Sequence, residues 1–229
     1  MRSLKWIFAL TIPLLLSCTI FAQENVFYYQ ILTPHGEEGQ IQYVVESLDT
    51  CFHVVSSLIT THGTSRKNSE FFTSHNWEPK LSYKWIQTPR GEVVLESRYY
   101  ENTITLQLQA PWGEKMTRLH FSPPVFDVEE VPLLLSALLE GKTKEGIISI
   151  FISVSGMVWK GKFRSVEENG EEITFRFTLA GEVMFFRYRK NDLMPQEMHF
   201  PHRGYTLLLQ DVTHGENQAL SLDRRKEED

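Results

Sequence analysis

The chain has 229 residues, 41% of them hydrophobic and 23% charged, with 15 Phe, 8 Tyr, 5 Trp and a formal charge of −6. That composition excludes a disordered, collagenous or disulfide-built protein, and the acidic balance leaves no basic footprint for nucleic acid. The first 22 residues differ from the rest: Arg2 and Lys5 precede an apolar run from Trp6 to Leu16 that is short for a bilayer span. They read as a secretory signal peptide with cleavage after Ala22, an uncleaved anchor being the alternative. Leu15-Leu16-Ser17-Cys18 offers a second route, because it resembles a bacterial lipobox in which Cys18 would be acylated. Once Cys18 is removed or acylated, Cys51 is the single remaining thiol, so core burial and not a disulfide must stabilise the fold.

From Val26 onward the apolar period is two. Ile41, Tyr43 and Val45, then Val93, Leu95 and Tyr99, then Ile104, Leu106 and Leu108, then Ile173, Phe175, Phe177 and Leu179 alternate with polar residues, as in antiparallel strands with one wet face. Further strands are predicted at Val26–Thr33, Cys51–Thr61, Glu70–His75, Leu81–Thr88, Lys115–Phe121, Ile147–Val158, Glu182–Arg189, Met198–Phe200 and Thr206–Val212, about a dozen in all. Pro34-His35-Gly36, Pro89-Arg90-Gly91 and Pro111-Trp112-Gly113 punctuate them, and Asn169-Gly170 predicts a type I′ hairpin. One segment departs from the pattern. Pro132 to Glu140 is rich in Leu, opens on a proline and ends before Gly141 at the C′ position, which predicts a short helix. Leucine surrounds more than half of it, so it belongs inside a curled sheet as a plug. The fold expected is mainly β: a long antiparallel sheet of about 10–12 strands curled into a half barrel around that helix, in a single domain over 23–222 with a charged tail at 223–229. A closed lipocalin-like barrel is the alternative, although the Gly-x-Trp usual near its first strand is missing.

Motifs that carry chemistry are few. Gly141-Lys142-Thr143 imitates the end of a P-loop, but Ser136 stands where the first glycine should be. The pair His199 and His202 is separated by Pro201, which prevents a shared helical face, and the other histidines are scattered. Acidic pairs at Glu37-Glu38, Glu129-Glu130, Glu167-Glu168 and Glu171-Glu172 lie beside turn signals and read as solvated charges, not as a glycosidase pair. Cys51 has no base or helix N-terminus near it in sequence. No catalytic residue, metal ligand or cofactor is therefore assigned. The feature that stands out is an inward face of large apolar residues, Tyr43, Val45, Leu95, Leu106, Leu108, Ile150, Ile152, Phe175 and Phe177. It would form either a dry core or an apolar cavity for an acyl chain that the helix only half fills.

The order of parts resembles the half-barrel superfamily of Gram-negative lipoprotein-localisation factors, and more closely its uncharacterised periplasmic members. An exported chain opens with a strand and a hairpin at Gly36–Gly39, meanders, and reaches a Leu-rich helix introduced by Phe126-Asp127. It resumes through Asn169-Gly170, Phe185–Arg189 and Leu193-Met194-Pro195 to Gly204–Leu207, so that the likeness spans most of residues 26–212. The resemblance implies a non-enzymatic protein of the periplasm, or of the periplasmic face of the outer membrane, sheltering a lipid or lipoprotein acyl chain. A structural or assembly protein working through an envelope protein partner is the second expectation. An outer-membrane barrel is the third, disfavoured by the charged ending Arg224–Asp229 and by strand Arg and Glu residues. Membrane attachment is expected only if Cys18 is acylated.

Overall fold

The computed structural model describes residues 23–60 and 65–215; the signal segment 1–22 with Cys18, His62 and the tail 223–229 lie outside the described residues. The described residues form one sheet of fifteen strands and one short α-helix; the strands exceed the 10–12 expected because Ile147–Val158 divides in two and Val125–Asp127 adds one ahead of the helix. The strands are β1 (Gln23–Thr33), β2 (Gly36–Ser47), β3 (Cys51–Thr60), β4 (Ser65–Ser74), β5 (Pro79–Thr88), β6 (Gly91–Tyr100), β7 (Thr103–Ala110) and β8 (Gly113–His120), then β9 (Val125–Asp127). A 3-10 turn (Val128–Glu130) and the helix α1 (Val131–Glu140) follow, and then β10 (Glu145–Ile152), β11 (Met157–Asn169), β12 (Glu172–Leu179), β13 (Glu182–Arg189), β14 (Glu197–Phe200) and β15 (Tyr205–His214).

Strand order explains the shape. The chain starts mid-sheet at β1, meanders out to one edge at β8, crosses to the opposite edge at β9, and meanders back until β15 pairs with β1. Laid flat, fifteen strands would span about 67 Å at ~4.8 Å per step. The link from His120 to Val125 can reach at most about 18 Å at ~3.6 Å per residue, so the sheet must curl until its two edges approach. They approach without pairing: β8 and β9 share no ladder, and the sheet is unclosed, which sets aside the lipocalin-like alternative.

Register fixes how the edges meet. Residues paired across a ladder share a face, and following the pairs places Phe27, Tyr43, Ser56, Ser69, Lys84, Leu95 and Leu108 together on the concave side. At the other end, β10 uses both faces. Ile148, Ile150 and Ile152 join the main core with Phe163, Phe175 and Phe177, whereas Phe151, with Val125 of β9, joins a second core formed by Val93, Leu95, Ile104 and Leu106. The β9–β10 edge is therefore tucked inside the β5–β7 arm, as in a scroll. Helix α1 fills the remaining concavity, with Val131, Leu133 and Leu135 buried in the main core.

Several local expectations are corrected. The predicted strand Ile147–Val158 is two strands, divided by a turn at Ser153–Gly156 in which Gly156 (φ 65°) donates to Ile152 O and Ser153 O. β9 is short and pairs in parallel with β10, an exception to the antiparallel rule read from alternation. The β11–β12 loop is Gly170-Glu171, and of these only Gly170 has positive φ (58°), the pattern of a type II′ turn. Helix α1 ends in a Schellman motif in which Thr143 N donates to Leu138 O and Lys142 N to Leu139 O, with Lys142 (φ 58°), not Gly141 (φ −71°), in the left-handed C′ position.

Candidate functional site

The short stretch Phe126-Asp127-Val128-Glu129-Glu130 determines how the tucked edge is held. Asp127 Oδ1 accepts from Glu129 N (3.0 Å) and Glu130 Oε2 accepts from Asp127 N (3.1 Å), a capping box at the entry to the 3-10 turn. Asp127 Oδ2 accepts from Ser82 Oγ of β5 (2.7 Å) and from the Tyr99 hydroxyl of β6. Glu129 pairs with Lys84 of β5 and accepts from Ser69 Oγ of β4 (3.4 Å). Polar bonds thus fasten the inner edge to three strands of the outer arm. Buried serines at 56, 69, 82 and 97 on the concave face are small enough to admit the turn there.

Burial pushes the Asp127 carboxyl up, and the Glu129 charge adds to that. Burial also raises Glu130 well above the usual carboxylate range, with Asp127 contributing, while its Oε1 has no partner among the described residues. Burial lowers the Lys84 ammonium, and Glu129 beside it more than offsets this, so the net direction is upward. The expectation that Glu129-Glu130 is a solvated turn pair fails at Glu130, which is 0% exposed. The sequence signal that could have found the cluster is Asp127-x-x-Glu130 directly ahead of the apolar run from Val131.

Tyr99 also borders open space. A cleft of about 700 Å³ lies between the start of β5, the β6–β7 turn and the crossover into β9. Its walls are Tyr99, Tyr100, Phe121, Pro123, Pro124 and Phe126, with Glu78, Lys80 and Glu101 among its charged residues. Tyr99, Phe121 and Val125 belong to both the cleft and the second core, so the cleft is the open mouth of that core. Tyr100 is 57% exposed. A second cleft of about 460 Å³ near β1, β15 and the loop after β13 is more polar, with Asn25, Arg189, Asn191, Asp192 and His214 among its lining.

The residues expected to line a cavity are all on the concave face but fall into two groups. Val45, Ile150, Phe175 and Phe177 are buried in the main core, with Tyr43 and Ile152 packed on it. Leu95 and Leu106 are buried in the second core, with Leu108 against it. None of the nine lines either cleft, although the second group adjoins the larger one. On the convex face His53 lies between Glu46 (2.7 Å) and Glu70 (2.8 Å) and stacks on Phe72. Burial raises the Glu70 carboxyl, but hydrogen bonds from Lys67 and His53 bring it below its ordinary value. Cys51 is a half-buried free thiol.

No family model matches this chain, and no curated protein matches it. A solved structure does resemble it: the crystal structure of a beta-barrel-like protein of the domain of unknown function DUF1849 from Brucella abortus, with TM-score 0.54 and 10% identity over 84% of this chain and 98% of that one. At that identity the likeness is one of fold alone.

Proposed function

We propose that this chain is a non-enzymatic, exported protein of the cell envelope that binds a lipid-like or acyl ligand, built on the half-barrel plan with the helix in its concavity. The observation that carries the reading is the aromatic and proline-walled cleft of about 700 Å³ at the mouth of the second core. That volume lies within the range of small-molecule sites, and an apolar wall with a few polar groups at its margin suits an acyl chain with a polar head. The ligand would enter between Tyr100 and Pro123, toward Phe121 and Phe126, and leave the main core undisturbed. Export rests on Arg2, Lys5 and the apolar run that follows them.

An envelope assembly protein is the second reading, favoured by the outer edge of β8, which pairs with no other strand among the described residues and carries exposed Lys115, Met116 and Arg118. Protein purified gently from its own envelope and measured by native mass spectrometry, then extracted with organic solvent, separates the two. A stoichiometric acyl ligand is expected. With the purified chain, Tyr100→Asp should weaken binding of a fluorescent fatty-acid probe about tenfold, by placing a charge in the apolar mouth, whereas Met116→Asp should leave it unchanged. A ligand-free mass together with probe binding indifferent to Tyr100 would sink the proposal.

A further inference from the structure

We propose that the tip of the β10–β11 hairpin docks on an anionic membrane surface, independently of Cys18 and of the cleft. Large apolar side chains are exposed there in close succession: Val154 (59%), Met157 (52%), Val158 (37%) and Trp159 (39%). Met157 and Trp159 pair with Ile152 and Ile150 of the concave face, whereas Val158 pairs with Phe151 and is on the other face. Exposure on both faces means that neither layer of the scroll covers these side chains, although the turn itself rests on Leu106. The tip is a built turn and not a loose loop: Ser155 N, Ser155 Oγ and Gly156 N all donate to Ile152 O, and Ser153 is buried. Gly156 meets Leu106 of β7 at 3.5 Å from an added Cβ, and β7 runs on to the turn where Trp112 is 57% exposed.

Charge selects the partner. The chain is acidic overall, yet between Glu145 and Glu167 the only charged residues are Lys160, Lys162 and Arg164. Arg176 of β12 pairs beside Arg164, and none of these four cations forms an ion pair among the described residues. A strand rises about 3.3 Å per residue, so Trp159 is roughly 10 Å from Gly156, with Lys160 one step farther. An apolar tip inserted about 5–10 Å would bring the indole to the interface and Lys160, whose Nζ donates to Ser149 Oγ (2.8 Å), to the phosphates, with Lys162, Arg164 and Arg176 farther up the strands adding a positive field toward anionic lipid. A protein partner is less well matched, because a tip exposed on both faces offers no groove and its cations are of one sign.

The test uses the chain from Gln23 to Asp229, which contains every described element and lacks Cys18. Flotation is measured with vesicles of phosphatidylcholine alone and of phosphatidylcholine with phosphatidylglycerol in equal parts. Binding is expected to the mixed vesicles, weakened by salt, with a blue shift of indole emission that Trp159→Phe removes. The double variant Val154→Asp/Met157→Asp should weaken partitioning about a hundredfold or more, through loss of two apolar anchors and gain of two anions. Lys160→Glu/Lys162→Glu should abolish the preference for the mixed vesicles. All four positions are exposed, and far-UV and near-UV circular dichroism checks that the variants stay folded. Equal binding to both vesicles, no binding to either, or a tip variant that binds like the parent would overturn the proposal. So would a tip variant that converts a lipid-free dimer to a monomer, since the tip would then be a contact between copies.

Discussion

Gly161 in β11 sits under the ring of Phe177 from the neighbouring strand, and Gly161→Ala tests whether the scroll depends on that close approach. A Cβ at Gly161 would lie 2.6 Å from Phe177 Cζ, 2.9 Å from Cε2 and 3.3 Å from Ile150 Cγ1. Phe177 and Ile150 are both 0% exposed, so neither can swing into solvent, and the ring must move against Phe186, its edge-to-face neighbour. Overpacking of this kind costs about 1–3 kcal/mol. The backbone at Gly161 needs no left-handed conformation, so alanine returns about 0.5–1 kcal/mol by restricting the unfolded chain. The net expectation is a loss of about 1–2 kcal/mol, or about 2–8 °C in Tm for a chain of this size. Urea unfolding of the parent, Gly161→Ala, Phe177→Leu and the double variant supplies the cycle. The clash predicts that the double variant is no less stable than Phe177→Leu alone. Strict additivity, or a Gly161→Ala protein as stable as the parent, would refute the reasoning.

Glu130→Gln keeps the capping-box bond to Asp127 N and removes the charge. Because burial raises the Glu130 pKa in the folded state, its stabilising contribution is complete below the unfolded value of about 4.3 and is lost as pH rises through the folded value. The variant should therefore match the parent near pH 4 and exceed it increasingly toward neutrality; a Tm difference independent of pH would contradict this. Ala180 and Gly181 close the β12–β13 hairpin with φ of 52° and 85°, a type I′ turn in which alanine is strained. Ala180→Asn, at an exposed position, should stabilise by about 1 kcal/mol, read as a higher urea midpoint at unchanged slope. Tyr29→Phe removes the buried hydroxyl that donates to Pro195 O (2.5 Å) and should cost about 1–2 kcal/mol in the same assay, since the carbonyl is left without its donor.

How much of this was legible follows from which residues face water on one side only. β7 and β12 alternate in sequence and in burial, because each packs one face and wets the other. β10 does not alternate: Ile148, Ile150 and Ile152 pack on the main core and Phe151 on the second, so both faces are covered from Ser149 to Phe151, while Ile147 at its start is exposed. The apolar run from Ile147 to Val158 therefore reads as one strand, and the turn at Ser153–Gly156 is not legible in it. The candidate cleft was illegible for a related reason. Its walls come from β5, the β6–β7 turn and the crossover, which are separated in the chain and brought together only by curling.

Alternation, proline and glycine act locally, so the mainly β class, a short helix over Pro132–Glu140, one residue short of its observed start at Val131, and most turns are legible in the sequence. That Glu130 is buried while its neighbour Glu129 meets Lys84 comes from tertiary packing, since burial of a carboxylate depends on which strands close over it. So does the failure of the fifteen described strands to close. A short link between opposite edges forces the sheet to coil, and the tucked edge then packs inside the arm it meets instead of pairing with it.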